Sequence, residues 1–170
     1  MADREIVVIE RSDNDNGYLD KAAEKNAGKN PIRCSSKADM VAKILATLGP
    51  GDCIKRLRII GHGSPGNIST GDGQGWESCK HIDNNRPEWA PALRPLVGRF
   101  CTDASIFLEG CNTGAEQDGA NKLFALATFF GVTVAAYTGK VYGDGSTEKG
   151  TRVQRVRPGE GVPPPIPKPD

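Results

Sequence analysis

The sequence predicts an α/β protein in which a mostly parallel sheet lies between two layers of helices, a three-layer α/β/α sandwich. The first observation is a set of short, β-branched, almost continuously apolar segments, typical of strands buried on both faces: residues 5–9, 56–61, 104–108 and 132–137. The second is the helical spacing of apolar residues between them, because alternating strands and helices form βαβ units with right-handed crossovers. We expect the flavodoxin-like strand order 2-1-3-4-5.

Local signals predict the remaining early elements. Residues 31–35 are typical of a shorter strand nearer an edge, and residues 17–26 of a first helix. Ser36 is placed to cap a second helix, and Asp39, three residues on, is close to a capping box. A Gly-Pro pair ends this helix.

The second half of the chain predicts two more helices. Residues 87–98 have helical spacing but contain three prolines, which predict a short or broken helix. The last helix is expected to begin near Thr113, with Glu116 at capping-box spacing, and to end at Gly131. The glycine-rich residues 63–76 predict a hairpin or an active-site loop.

The chain is expected to form one domain over residues 1–157. After the last parallel strand, residues 138–157 predict a hairpin or a short additional strand. Residues 158–170 are rich in proline and cannot build a core, so we predict a disordered, extended tail there.

The composition excludes several classes of protein. The chain has 170 residues and a formal net charge of +1, which gives no indication of a nucleic-acid partner. Its apolar runs are shorter than the roughly 20 residues that span a bilayer. The charged N-terminus lacks a signal-peptide layout. We therefore expect a cytoplasmic protein without a membrane partner.

The five cysteines predict no disulfide framework, because their number is odd, no spacing is C-x-x-C and no export signal is present. Cys53 and Cys101 are typical of core cysteines, since neither has glycine neighbours. At least one of the five is left to be reactive, and Cys111 is the candidate.

Two predicted strands end in reactive residues. One runs into His62 and the other into Glu109, Gly110 and Cys111. Open α/β sheets form their sites at the carboxyl ends of strands, and neighbouring strands lie about 4.8 Å apart. We therefore expect the imidazole and the thiol to face each other.

This pair predicts nucleophilic catalysis. A thiol attacks a carbonyl carbon as the thiolate, so His62 is the candidate base and later the proton donor to the leaving amine. The N–H groups of Gly63 and Cys111 are candidates for an oxyanion hole. A helix beginning at Thr113 would also favour the thiolate.

The two strand ends, RIIGHG at 58–63 and IFLEGC at 106–111, resemble the caspase, legumain, metacaspase and gingipain group. The His-Gly, the small residue before the cysteine and the Cys-Asn-Thr-Gly that follows it carry the resemblance. It implies a cysteine endopeptidase that acts on protein or peptide through a thioester, with its own chain included among the expected substrates. Glu109 and Gly110 then occupy the place of a substrate pocket, and the acidic Glu109 weakly favours Lys or Arg before the scissile bond.

Several alternatives compete with this interpretation. His62 can be an ordinary strand-end histidine, Cys111 a core cysteine and Glu109 a solvated residue. A catalytically silent interaction or regulatory domain of the same fold is the second function. The C-x-H of Cys79 and His81 lacks the paired spacing of a zinc site. Neither a nucleophile elbow nor a phosphate loop is present. We therefore predict no metal and no cofactor.

Overall fold

The computed structural model describes residues 2–11, 17–70, 81–82 and 86–170. Its main sheet has six strands, which are β1 Asp3–Glu10, β2 Ile32–Cys34, β3 Cys53–Ile60, β7 Phe100–Glu109, β8 Thr133–Tyr137 and β9 Val153–Val156. They lie in the order β2-β1-β3-β7-β8-β9. The first five in this order are mutually parallel, which confirms the predicted order, and β9 is the short antiparallel addition.

In the described part of the chain, four α-helices connect these strands, close to their predicted positions. They are α1 Tyr18–Lys25, α2 Lys37–Thr47, α3 Arg86–Leu93 and α4 Glu116–Phe130. The Ser36 hydroxyl accepts the N–H of Asp39 at 3.0 Å, as predicted. Helix α3 is short, contains Pro91, and gives way to a 3₁₀ turn at Arg94–Leu96, because proline disrupts regular helix geometry. Gly131, with φ of 68°, ends α4.

The two faces of the sheet are covered unequally. Alternate residues of β1 enter different cores: Ile6 and Val8 join a large core with residues of α2, α3 and α4, whereas Val7 and Ile9 join a small core with α1. Right-handed crossovers explain this division. The connection from β1 to β2 runs towards one edge of the sheet, and those from β2 to β3, β3 to β7 and β7 to β8 run towards the other, so α1 lies on one face and α2, α3 and α4 on the opposite face. The sandwich has three layers, but among the described residues α1 Tyr18–Lys25, which the 3₁₀ turn Ala27–Lys29 follows, is the one α-helix of its outer layer.

A second, smaller sheet begins where β3 ends. Strands β4 Gly63–Ser64, β5 Asn67–Ser69 and β6 His81–Ile82 pair in that order, and both pairings are antiparallel. The predicted hairpin over residues 63–76 is thus present up to residue 70, and its remainder lies outside the described residues. This sheet holds the backbone after His62 in place.

The proline-rich residues 158–170 contain no helix or strand and lie against the domain. The carbonyl of Ile166 accepts the N–H of Glu116 at 2.6 Å, and the carbonyl of Pro164 accepts the Gln154 amide at 3.1 Å. Lys168 also lies 3.7 Å from the Glu116 carboxylate. The segment predicted as a disordered tail therefore contacts the first turn of α4 and strand β9.

The prediction that the chain has no disulfide, with Cys53 and Cys101 as core cysteines, is wrong. Cys53 and Cys101 form a disulfide between β3 and β7, with their Cα atoms 5.0 Å apart, and neither is fully buried. Sequence spacing gives no sign of this pairing, because it depends on β3 and β7 being neighbours. Cys34 is buried and free, and Cys111 is free and half-buried.

No helix in the described part of the chain is both long and apolar enough to cross a bilayer.

Candidate active site

Neighbouring strands bring the two predicted catalytic positions together. Ile60 at the end of β3 pairs with Glu109 at the end of β7. His62 and Cys111 each lie two residues beyond that pair. A Cβ atom added to Gly63 would lie only 2.9 Å from the Cys111 carbonyl oxygen and 3.0 Å from its nitrogen. The backbones after the two strands are therefore in direct contact, and the contact requires glycine at position 63.

The N–H of Gly63 lies outside the ladder of the small sheet. Ser69 donates its N–H to the carbonyl of His62 at 2.8 Å, so the neighbouring Gly63–Ile68 pair is of the type without mutual hydrogen bonds. Because that N–H is not used by the ladder and lies beside Cys111, it remains a candidate donor to a substrate oxygen.

The turn after Cys111 differs from the prediction. Helix α4 begins at Glu116 and not near Thr113, and its N-cap residue Ala115 has no side-chain capping bond. The Thr113 hydroxyl instead donates to the carbonyl of Asn67 at 3.0 Å and ties the turn to the small sheet. The expected support of the thiolate by a helix beginning at Thr113 therefore loses its basis, because α4 begins five residues after Cys111.

The segment after β8 supplies a different neighbour for the sulfur. The N–H of Val141 points at Cys111 Sγ, with N and Sγ 3.3 Å apart. The adjoining backbone is also anchored, since Asn112 donates its N–H to the carbonyl of Gly139 at 2.8 Å. The sulfur also lies 3.6 Å from the Val141 carbonyl oxygen, so residue 141 offers Cys111 both a donor and an acceptor.

His62 is held by two residues that the sequence analysis did not identify. Its imidazole packs against the ring of Tyr18, with centroids 5.4 Å apart. Its backbone N–H donates to the Glu10 carboxylate at 2.9 Å, and Glu10 also accepts a short hydrogen bond from the Ser69 hydroxyl. Within the described residues the imidazole makes no hydrogen bond to Cys111 Sγ. The sequence did offer one signal for Glu10: this acidic residue ends β1, the strand that pairs with β3, and therefore lies at the same edge of the sheet as His62.

Glu109 is engaged by an arginine. Arg58 donates to its two carboxylate oxygens at 2.6 and 3.1 Å, and a third guanidinium bond goes to Asn26 at 2.9 Å. The hydrogen bonds to Glu109 raise the pKa of Arg58 above its ordinary value. Since Arg58 balances the charge of Glu109, the argument from this carboxylate for a basic substrate side chain loses its support.

A cavity of about 230 Å³ lies between α1 and the segment after β8. Tyr18 connects it to His62, Val141 connects it to Cys111, and the Arg58–Glu109 pair forms part of its wall. Gly110 leaves no room for a side chain, because an added Cβ would lie 3.2 Å from the Gly63 Cα and from the Gly61 carbonyl. The cavity thus lies at the ends of β3 and β7, where Ile60 and Glu109 line it; His62 and Cys111 do not line it, and each contacts one residue that does.

One group of potential metal ligands occurs in the described chain. Asp3, Cys53 and Cys101 have ligand atoms within 4.8 Å of one another. The two sulfurs are bonded to each other, and a metal binds thiolates, so the group does not fit a metal in this state. Of the C-x-H pair, Cys79 lies outside the described residues, and the structure describes only the backbone of His81.

The fold and the site together define a mixed α/β domain that carries a histidine and a cysteine at adjoining strand ends of a mostly parallel sheet. The chain belongs to the family described as Domain of unknown function (DUF4347), whose model matches residues 6–151. The match includes β1 from Ile6, His62, Cys111 and β8, and it ends before β9. A search of curated proteins and a search of solved structures gave no match.

Proposed function

We propose that this protein is a cysteine endopeptidase in which His62 and Cys111 form the catalytic dyad. The observation that carries the proposal is the close contact of the Gly63 backbone with Cys111, which brings the ends of β3 and β7 together beside a cavity. The substrate class is a protein or peptide, as the resemblance to the caspase and legumain group implies. Processing of the chain by itself is included in this class.

The residues would divide the reaction between them. His62 takes the proton of Cys111, and the sulfur attacks the substrate carbonyl carbon, so that a C–S bond forms. The C–N bond then breaks, and the imidazolium gives its proton to the departing amine. Water next attacks the thioester and loses its proton to His62. The C–S bond breaks, the acid leaves, and the imidazolium returns the proton to the sulfur of Cys111. The N–H groups of Gly63 and Cys111 would hold the oxyanion.

The second candidate is a catalytically silent domain that binds a partner. The packing of the His62 ring against Tyr18, without a hydrogen bond to the sulfur, favours this alternative. In free enzymes, however, catalytic hydrogen bonds are often long and shorten only around substrate. The arrangement is therefore compatible with a dyad that closes on binding.

The test is covalent labelling of the intact protein with acyloxymethyl ketones bearing Lys, Arg, Asn or Asp at the position before the ketone, followed by mass spectrometry. We expect one adduct, on Cys111, that is absent from Cys111→Ala. Labelling of His62→Ala should be about 100-fold slower, in line with the loss of a general base. His81→Ala removes the other histidine and should label as the wild type does.

Three of the other four cysteines are not expected to interfere, and the fourth, Cys79, lies outside the described residues. Cys53 and Cys101 are in the disulfide. Burial, followed by the nearby charges of Asp39 and Glu10, raises the pKa of Cys34 to about 12, so its thiolate is scarce near neutral pH. An adduct that survives in Cys111→Ala/Cys79→Ser, or equal rates for His62→Ala and wild type, would overturn the proposal. The absence of any adduct would favour the silent domain.

A further inference from the structure

Among the described residues, no helix covers the α1-bearing face of the sheet over β7, β8 and β9. A flavodoxin-like sheet has both faces covered when a further helix follows its fifth strand. Here the chain turns back after β8 and adds β9 as an antiparallel edge strand. The described residues therefore place no helix beside α1 on this face, and a groove of about 560 Å³ runs along it.

The strand register gives this groove a regular lining. One row across the sheet is Arg58–Phe107–Ala135–Arg155, in which each residue pairs with the next. The neighbouring row begins Arg56–Ser105–Thr133, and Arg157 follows β9 at its far end. Both rows thus have uncharged residues in the middle and an arginine at each end.

The dimensions of the groove suit a helix. The rows extend over three strand spacings, which makes about 14 Å between the backbones of β3 and β9. An α-helix with its side chains is about 10–12 Å across. The floor is partly apolar, since the half-buried Phe107 packs against Tyr137 with ring centroids 4.9 Å apart.

The two rims differ in their free charge. On the β3 rim, Arg58 is bonded to Glu109, and Arg56 lies 3.7 Å from the Glu5 carboxylate. On the β9 rim, Arg155 and Arg157 are exposed and form no ion pair within the described part of the chain. Positive charge is therefore available mainly along β9.

We propose that this groove binds an acidic amphipathic helix of a partner protein, in the position where the fold lacks a helix beside α1. A narrow stripe of small and apolar side chains would cover Phe107 and Ala135. Glutamates or aspartates on its flank would pair with Arg155 and Arg157. A nucleic acid fits less well, because the middle of the groove is uncharged and partly apolar, and exposed arginines without an ion pair line only its β9 rim. This proposal does not depend on peptidase activity.

The test is fluorescence anisotropy of the full chain with two labelled peptides of about 20 residues, long enough to form isolated helices. One peptide carries glutamates on both sides of a Leu/Ala stripe, and the other has lysine at every glutamate. We expect the acidic peptide to bind at least about tenfold more tightly than the basic one, and the difference to shrink with added salt.

Charge reversal locates the site. Arg155→Glu/Arg157→Glu should weaken binding of the acidic peptide about tenfold or more and strengthen binding of the basic one. The control Arg11→Glu/Lys29→Glu makes the same change in net charge on exposed residues outside the groove and should bind as the wild type does. If the reversed variant loses its circular dichroism spectrum, Arg155→Gln/Arg157→Gln replaces it. Equal affinity for both peptides, or equal losses in the groove variant and the control, would overturn the proposal.

Discussion

At the scale of single residues, the Arg58–Glu109 pair is the clearest case of chemistry created by folding. The two residues are 51 positions apart, and their side chains are 24% and 11% exposed. A largely buried carboxylate needs such a partner, because a charge without one is strongly disfavoured in the interior. The pair therefore contributes to stability only while both members are present.

We predict that Arg58→Met lowers the free energy of unfolding by about 3 kcal/mol, because it leaves Glu109 without its cation. The double variant Arg58→Met/Glu109→Gln should regain most of this loss. Arg56→Met is the matched control on the same strand, and its exposed pair with Glu5 should cost less than about 1 kcal/mol. Urea unfolding followed by circular dichroism measures all three; equal values for the two single variants would contradict the prediction.

At the scale of the elements, helix α2 shows a cap that local sequence alone specifies. Ser36 has extended φ and ψ angles, and its hydroxyl accepts the N–H of Asp39. The Asp39 carboxylate accepts a hydrogen bond from the N–H of Ser35 at 2.9 Å. The start of α4 is the opposite case, because its first N–H, that of Glu116, bonds to Ile166 from the far end of the chain.

Ser36→Ala should destabilise the protein by about 1 kcal/mol, because one N–H in the first turn of α2 loses its acceptor. Ser36→Gly should lower the free energy of unfolding by only about a few tenths of a kcal/mol, since glycine is tolerated at the N-cap and leaves the N–H open to water. The two variants are compared by their midpoints of denaturant unfolding, provided that the dependence of the free energy of unfolding on denaturant concentration is the same for both. An alanine variant as stable as the glycine variant would show that the cap contributes little.

At the scale of the whole molecule, the disulfide joins the amino ends of β3 and β7, at the opposite edge of the sheet from His62 and Cys111. Disulfides persist in oxidising compartments and are rare in the cytosol. The bond is therefore at odds with the expectation of a cytoplasmic protein, which depended on the N-terminal sequence. The open face on the α1 side is the second feature that appears only at this scale.

We predict that Cys53→Ser/Cys101→Ser lowers the free energy of unfolding by up to about 4 kcal/mol, the loop-entropy value for cysteines 48 residues apart. A reductant should destabilise the wild type by a similar amount and leave the double serine variant unchanged. Chemical unfolding with and without reductant gives both values. A wild type that responds to reductant no more than the variant would show that the bond does not form in solution.

The sequence by itself determined the strand order, the helix positions and the two strand ends that carry His62 and Cys111. Apolar periodicity and capping signals are local, and right-handed crossovers leave few topologies to choose from. The sequence also identified Gly63 as a candidate donor to the oxyanion, although its close contact with Cys111 became visible only in the structure.

Only the tertiary structure decided which side chains meet. Four contacts join residues that are distant in the chain: the packing of Tyr18 on His62, the N–H of Val141 at the sulfur of Cys111, the ion pair of Arg58 with Glu109, and the Cys53–Cys101 disulfide. Such contacts depend on strand register and on which helices cover each face. A one-residue change of register reverses the face of every side chain in a strand, so no local pattern encodes them.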